Sequence, residues 1–173
     1  GEYAALVAAN VAPLADAVKV VRLRGRRMQE AVPQGVGAMA AIIQPELSMA
    51  LLEHCLHGLE ADIANHNAPN QVVISGSASD VQTAVERYQD SPIGVRSKVR
   101  MLTVSAPFHS RLMAGIEPGF RSLLFDASRN WNAENSTCVV SNTYPCLDGN
   151  CSIRDGTFHG GKSFAQHVLN KCT

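Results

Sequence analysis

The chain has 173 residues, of which 46% are hydrophobic and 17% charged, and its 15 Lys and Arg residues balance its 15 Asp and Glu residues. This composition excludes a disordered chain, which combines low hydrophobicity with high net charge. Without a basic excess, a nucleic acid is not expected as the main partner. Uncharged stretches such as residues 3–13 fall well short of the roughly 20 apolar residues that span a bilayer, so no membrane partner is expected.

The five cysteines are loosely spaced, which favours a reducing compartment over a disulfide framework. Four of them share the C-terminal third of the chain with two histidines: Cys138, Cys146, Cys151, His159, His167 and Cys172. Zinc sites use closely spaced pairs such as C-x₂-C, and the gaps in this set do not match them. No metal site is therefore predicted.

Two helices are predicted in residues 2–32, ahead of a strong helix breaker at 33–37. Pro13 opens the second helix at a favoured first-turn position. The apolar residues of this helix recur at helical spacing and are expected to form its buried face: Leu14, Ala17, Val18, Val21 and Met28.

Four arginines are interleaved with these apolar residues, and one of them differs from the rest in helical phase. Arg24 falls near the apolar side of the helix, whereas Arg22 and Arg26 point elsewhere. A guanidinium group on an apolar face needs a partner, and a carboxylate can bind it through two parallel hydrogen bonds. Arg24 is therefore a candidate binding residue, although arginines on helices commonly form a solvated face.

Residues 37–104 are predicted to follow the order strand, helix, strand, strand, helix, strand. The strands are expected at 38–43, 62–66, 71–75 and 96–104, with a turn at 67–70 between the second and third. Pro45 is expected to start the first helix and Ser79 to cap the second. This βαββαβ order is the ferredoxin-like arrangement. Beyond Pro107 we expect a long amphipathic segment, a short strand at 136–141 and a helix at 163–169.

His109 is the candidate for acid–base chemistry, because it follows a predicted strand and a proline where a helical segment begins. Its unperturbed pKa near 6.5 suits a general base. A single histidine is also commonly structural, and the spacing alone leaves both interpretations open.

Five stretches of the chain resemble the malonyl-CoA:acyl-carrier-protein transacylase family. They are GEYAALV at 1–7, RGRRMQEAV at 24–32, GAMAAI at 37–42, NHNAPNQVVISG at 65–76 and VSAPFHSRLM at 104–113. The resemblance covers nearly all of residues 1–125 and fades towards the C-terminus. Several independent motifs in the same order make it specific.

The resemblance implies an α/β fold in which an α/β-hydrolase-like large domain is interrupted by a ferredoxin-like small subdomain. Residues 1–36 and 105–173 would belong to the large acyltransferase domain, and residues 37–104 to the small subdomain. The activity it implies is transfer of malonyl from malonyl-CoA to the phosphopantetheine thiol of acyl carrier protein in fatty-acid synthesis. It requires no cofactor beyond malonyl-CoA as substrate, and the full-length enzyme is expected to be a monomer.

The resemblance also assigns residue roles within a ping-pong mechanism. His109 would activate a serine in a Gly-His-Ser-Leu-Gly elbow, and Arg24 would pair with the malonyl carboxylate. Phe108 looks like the malonyl-preferring form of its motif, since a bulky ring leaves little room for an α-methyl branch. Met28 would line the same pocket or belong to the core, and Asn65 and Asn67 would lie at its rim.

The chain departs from the family pattern at both ends. Gly1 matches the last glycine of the elbow, which places the serine two positions before it, and the family's glutamine loop and closing strands have no counterpart. We therefore expect residues 1–173 alone to be inactive. Uncovered sheet edges and apolar helix faces also predict poor solubility of this fragment.

Three alternatives stay open from the sequence. The first is an acyltransferase domain of a polyketide synthase or multifunctional fatty-acid synthase. The second is a catalytically dead relative that binds a carrier protein, and the third, an RNA-binding βαββαβ unit, lacks exposed aromatics on its central strands. The expected compartment is the mitochondrion or plastid in a eukaryote and the cytoplasm in a bacterium, with no secretion.

Overall fold

The computed structural model describes residues 1–132, 134 and 135. The chain divides into two compact units, one formed by Arg26–Glu117 and the other by Gly1–Gly25 with the described residues from Pro118 onward. The predicted strand at 136–141 and helix at 163–169 lie outside the described residues. Within the described part, no helix has both the length and the apolar character needed to cross a membrane.

Helices and strands alternate through the middle of the chain, and helices stand at both ends of the described part. In chain order the elements are α1 (Glu2–Ala8), α2 (Leu14–Ala31), β1 (Gly37–Ile43), α3 (Met49–Leu56), β2 (Ala61–Ala68), β3 (Gln71–Ser77), α4 (Ala78–Gln89), β4 (Lys98–Met101) and α5 (Glu117–Ser128), with 3₁₀ turns at Gly94–Arg96 and Arg111–Ile116.

The unit that contains the N-terminus is helical and has its own core. Its buried residues come from α1, the start of α2, α5 and the connections beside them: Leu6, Val11, Ala12, Val20, Phe120, Leu124 and Trp131. The backbone N–H of Asn132 donates to the carbonyl of Val11 at 2.8 Å, which ties the segment after α5 to the turn after α1. Burial of these side chains supplies the main stabilising term of this unit.

The second unit is built on a four-stranded sheet of order β2-β3-β1-β4, in which neighbouring strands are antiparallel. Helices α3 and α4 cover one face of the sheet. Every second residue of β1 and β3 points into the core between this face and the two helices. That core consists of Ala40, Ile42, Leu52, Cys55, Ala61, Val72, Ile74, Val81, Ala84, Val85 and Tyr88. The predicted α/β class and the βαββαβ order of elements are therefore present.

The opposite face of this sheet is covered by the segment that follows β4. Met39, Ala41 and Val73 are buried there, and Phe108 and Leu102 pack against them. Because successive residues of a strand point to opposite faces, β1 and β3 are apolar on both sides. This explains why their sequences read as continuous apolar runs.

Both predicted helix starts in this unit were wrong by a few residues. Helix α3 begins at Met49 rather than at Pro45, with Ser48 as its N-cap, whose Oγ accepts from the N–H of Leu51. Helix α4 is capped by Ser77 rather than Ser79, through a hydrogen bond from the N–H of Asp80 at 3.2 Å. In each case a serine side chain satisfies an N–H group that would otherwise lack a partner.

Two strand ends also differ from the prediction. Strand β2 continues to Ala68, so Asn67 lies in the strand and not in the turn, and register shifts accompany this extension. Strand β4 pairs with β1 only over Lys98–Met101 and is shorter than the predicted 96–104. Its first predicted residue, Arg96, belongs instead to a 3₁₀ turn.

The buried face of α2 is rotated relative to the prediction. Ala17 and Met28 are buried as predicted and Val20 is buried with them, whereas Leu14, Val18 and Val21 are 65%, 57% and 45% exposed. Both sets recur at helical spacing, so periodicity alone could not choose between them.

Candidate active site

His109 lies in the connection between β4 and the 3₁₀ turn at Arg111–Ile116, with an exposed side chain. Its backbone adopts φ 60°, the left-handed conformation that residues other than glycine rarely take. Such a conformation costs energy and persists only where the surrounding structure determines it. The neighbouring residues show what determines it here.

Contacts on the N-terminal side of His109 hold its backbone. Pro107 is fully buried, and its ring lies so close to Gly37 that a Cβ at that position would be 2.4 Å from the proline Cγ. The Oγ of Ser110 donates to the carbonyl of Pro107 at 2.8 Å, which closes the turn around His109. The N–H of Phe108 donates to the carbonyl of Ala106 at 2.9 Å.

Phe108 and Met28 lie in one apolar cluster of the second unit. Met28 is 4% exposed and packs with Val32, Ala106 and Met113, and the half-buried ring of Phe108 packs against that group. Phe108 also contacts the cluster on the sheet. The ring next to His109 therefore joins two apolar groups, and Met28 is part of the core in this structure.

Arg24 lies in the unit that contains the N-terminus, on α2, and is half-buried. Its Nε is buried and has no hydrogen-bond partner among the described residues. A buried donor of a charged group without an acceptor is costly, and an incoming carboxylate would relieve that cost. This observation matches the helical-phase argument made from the sequence.

Asn65 and Asn67 are both exposed on β2, which is an edge strand of the sheet. Asn65 pairs with Val73 on β3. The register of this pairing shifts twice, once just before Asn65 and once just after His66. Irregularities of this kind re-aim side chains at sheet edges. Both amides are therefore accessible to solvent.

An ion pair between Asp62 and Arg111 was missed by the sequence reasoning. The Arg111 side chain binds the carboxylate through Nε, at 3.0 Å from Oδ1, and through Nη2, at 2.5 Å from the same oxygen. The backbone N–H of Arg111 also donates to Oδ2 at 2.8 Å. The two residues are 49 positions apart, so no local pattern could have indicated the pair.

The pKa values of both members of this pair are shifted. Hydrogen bonds from the Arg111 side chain lower the pKa of Asp62 below its ordinary value of 3.8, against a smaller opposing effect of burial. The same contact raises the pKa of Arg111. Elsewhere in the unit, burial raises the pKa of the Cys55 thiol, which keeps it protonated and unreactive.

An open cleft of about 600 Å³ adjoins the ion pair. Its wall runs from the end of α3 to the start of β2 and includes Glu53, His57, Glu60, Asp62 and Arg111. None of the residues predicted to act on a substrate lines it. The cleft explains why Arg111 remains 60% exposed although its guanidinium is bound.

Within the described residues, no group of three or more His, Cys, Asp or Glu side chains is arranged to hold a metal ion. The cysteine and histidine set between Cys138 and Cys172 lies outside the described residues.

Residues 1–145 match the family model described as an acyl transferase domain. The chain belongs to the acyl transferase domain family. The malonyl CoA-acyl carrier protein transacylase of Staphylococcus aureus strain MRSA252 is 38% identical over 151 residues, which cover 79% of this chain and 47% of that protein. The chain thus spans about half the length of this curated relative.

Solved structures of acyltransferases are similar to this chain. The malonyl-CoA:acyl carrier protein transacylase (FabD) of Xanthomonas oryzae pv. oryzae is 40% identical, with a TM-score of 0.67 over 77% of this chain and 41% of that one. A malonyl-transacylase in complex with its type II polyketide acyl-carrier protein, PlMCAT with AntF, is 36% identical, with a TM-score of 0.65 over 72% of this chain and 40% of that one. The family resemblance seen in the sequence is confirmed.

Proposed function

We propose that this chain is part of an [acyl-carrier-protein] S-malonyltransferase, which moves a malonyl group from malonyl-CoA to the phosphopantetheine thiol of acyl carrier protein in fatty-acid synthesis. The names of its relatives and the carrier-protein complex of one neighbour support this proposal. The observation that carries it is the buried Nε of Arg24, which has no hydrogen-bond partner within the described part of the chain. Among common acyl groups, malonyl brings the free carboxylate that such a donor needs.

Arg24 binds the malonyl carboxylate in this proposal. A guanidinium fork matches the two oxygens of a carboxylate, and a half-buried position strengthens the interaction relative to water. An uncharged acyl group would leave the desolvated donor unpaired, so Arg24 also rejects such substrates.

His109 is the general base and acid. It accepts the proton of a serine hydroxyl as the oxygen attacks the thioester carbonyl, and it returns that proton to the departing coenzyme A thiolate. In the second half-reaction it accepts the proton of the phosphopantetheine thiol and gives it to the serine oxygen.

Phe108 shapes the acyl pocket, since it directly precedes His109 in the same turn and its ring is only half-buried. Met28 supports that ring from the core, and Asn65 and Asn67 bind polar parts of the substrate at the rim. We further propose a monomeric enzyme with a ferredoxin-like subdomain at 37–104, flanked by hydrolase-like parts at 1–36 and 105–173.

The test is malonyl transfer by the complete translation product of the gene, assayed with malonyl-CoA and acetyl-CoA. We expect Arg24→Gln to lower kcat/KM for malonyl-CoA about 100-fold, because the malonyl carboxylate loses its guanidinium partner. Acetyl transfer should be unchanged or raised, since the acetyl group carries no carboxylate. Arg22→Gln, which removes an exposed arginine of the same helix, is the matched control. Unchanged malonyl transfer by the Arg24 variant would contradict the assignment.

A polyketide pathway is the second candidate, because one of the similar structures holds a type II polyketide acyl-carrier protein. The chemistry of transfer is the same, and only the carrier protein differs. Comparing kcat/KM with a fatty-acid carrier and a polyketide carrier separates the two. Absence of transfer to either would favour the catalytically dead, carrier-binding relative.

A further inference from the structure

The Asp62–Arg111 pair joins two distant parts of the second unit. Other ion pairs, such as Arg26–Glu30 and Arg129–Asp126, connect residues three or four positions apart along the chain. Asp62 stands near the start of β2, whereas Arg111 opens the 3₁₀ turn after His109. The pair therefore links the sheet to the segment that carries the candidate base.

His109 lies between two anchors, two residues away on either side. Pro107 is packed against Gly37 and accepts the Ser110 hydroxyl, while Arg111 is bound to Asp62 through both its side chain and its backbone N–H. A left-handed residue between two fixed points has little freedom to relax to an ordinary conformation. Removing one anchor would release it.

The stability contribution of this pair is expected to be small. Arg111 is 60% exposed, and ion pairs at the protein surface contribute about 0–1 kcal/mol. The backbone N–H bond differs, because it constrains φ and ψ next to the turn and not only a flexible side chain. An effect on the orientation of His109 can therefore exceed the effect on folding.

We propose that Asp62 is a positioning residue for His109 and that it acts through Arg111. Its consequence for catalysis rests on the proposed function, whereas its consequence for the conformation of the turn does not. By fixing the Arg111 backbone, the carboxylate holds the imidazole in the direction needed for proton transfer.

Four variants of the complete translation product separate the two kinds of hydrogen bond. Asp62→Ala removes both, Asp62→Asn keeps an acceptor for the backbone N–H, and Arg111→Gln keeps the backbone bond while removing the guanidinium. Asp126→Asn breaks an exposed ion pair in the other unit and is the matched control. Asp62→Asn and Arg111→Gln are the milder pair and stand in for Asp62→Ala if that variant does not fold.

We expect Asp62→Ala to lower kcat for malonyl transfer about tenfold, since the misplaced base transfers protons less well, with KM for malonyl-CoA within about twofold of wild type. The kcat values of Asp62→Asn and Arg111→Gln should lie between those of Asp62→Ala and wild type. The kcat of Asp126→Asn should match that of wild type. In NMR spectra, the imidazole signals of His109 should shift in Asp62→Ala, and the amide of Arg111 should lose protection from hydrogen exchange.

The two hypotheses fail in different ways. If wild type transfers malonyl and Asp62→Ala does so with the same kcat and unchanged His109 signals, the positioning role is overturned and the proposed function stands. If wild type transfers no malonyl, the proposed function fails, and the NMR comparison alone decides the positioning role. Shifted His109 signals then support it, and identical spectra overturn it.

Discussion

Replacing Gly37 with alanine should disturb the turn that carries His109. An added Cβ would lie 2.4, 2.5 and 2.6 Å from the Cγ, Cδ and Cβ atoms of Pro107. Carbon atoms in favourable contact are about 3.5–4.0 Å apart, so the strand or the ring must move by about 1 Å. A proline ring is rigid and this one is fully buried, so the displacement is transmitted to its chain neighbours.

The expected cost follows from two opposing contributions. Inserting a methyl group into a packed site costs about 1–3 kcal/mol, and replacing glycine by alanine in a strand returns about 0.5–1 kcal/mol of conformational entropy. We therefore expect Gly37→Ala to lower the free energy of unfolding by about 1–2 kcal/mol. A displacement of about 1 Å at a catalytic base is also enough to reduce kcat up to about 100-fold.

Urea unfolding followed by circular dichroism measures the first effect, and malonyl transfer by the complete translation product measures the second. Gly25→Ala is the control, because no atom lies within 4 Å of the Cβ it would add. In the interior of α2 this control should stabilise the chain by about 0.5–1 kcal/mol. A Gly37→Ala variant as stable as wild type, with unshifted amide signals for Phe108 and His109, would refute the reasoning.

Three further changes test other parts of the second unit. Ser77→Ala should lower the free energy of unfolding by about 1 kcal/mol, while Ser79→Ala should have little effect, since only the former removes the α4 cap; urea unfolding of both decides. Tyr88→Phe should cost about 1–2 kcal/mol in the same assay, because the Oε1 of buried Gln44 loses the donor at 3.1 Å. Because the pKa of Asp62 is lowered on folding, its contribution is complete above pH 3.8 and is lost as the pH falls through the folded-state pKa. The difference in unfolding free energy between wild type and Asp62→Asn should therefore shrink between pH 6 and pH 3.

The order of elements in the second unit was predictable because it depends on local signals. Apolar runs bounded by turn residues indicate strands, and an apolar repeat of three to four residues indicates the helices between them. The antiparallel pairing of β1 with β3 could not be read from the same signals, since it joins residues 28 to 40 positions apart. Only the βαββαβ order suggested it.

The ends of helices and strands were less predictable, because several neighbouring residues could each serve as the helix cap or the last strand residue. Ser77 and Ser79 can both cap a helix, and the choice depends on where β3 ends. Strand β3 continues through Ser77 because that residue pairs with Gly37 on β1, so the helix starts directly after it. The prediction lacked this long-range pairing and placed the cap two residues too late.

The rotated face of α2 has a related cause. Its two apolar stripes are equally periodic, and only the packing partners decide which is buried. The choice matters for Arg24, since Ala17, Val20 and Met28 occupy the side of the helix towards which it points by phase. The predicted side for Arg24 agrees with the structure although the stripe is rotated, because Ala17 and Met28 belong to both the predicted and the observed set.

The candidate base and its support differ in how they can be found. His109 follows a proline in a short motif, so the local sequence pattern is enough to identify it as a candidate. Asp62 is one acidic residue at the start of an edge strand, and nothing near it in the sequence distinguishes it from a solvated surface charge. Its role depends on Arg111, 49 residues later, being folded back against β2. Local sequence patterns can therefore nominate the candidate base, whereas the proposed positioning residue becomes visible only when the fold brings the two segments together.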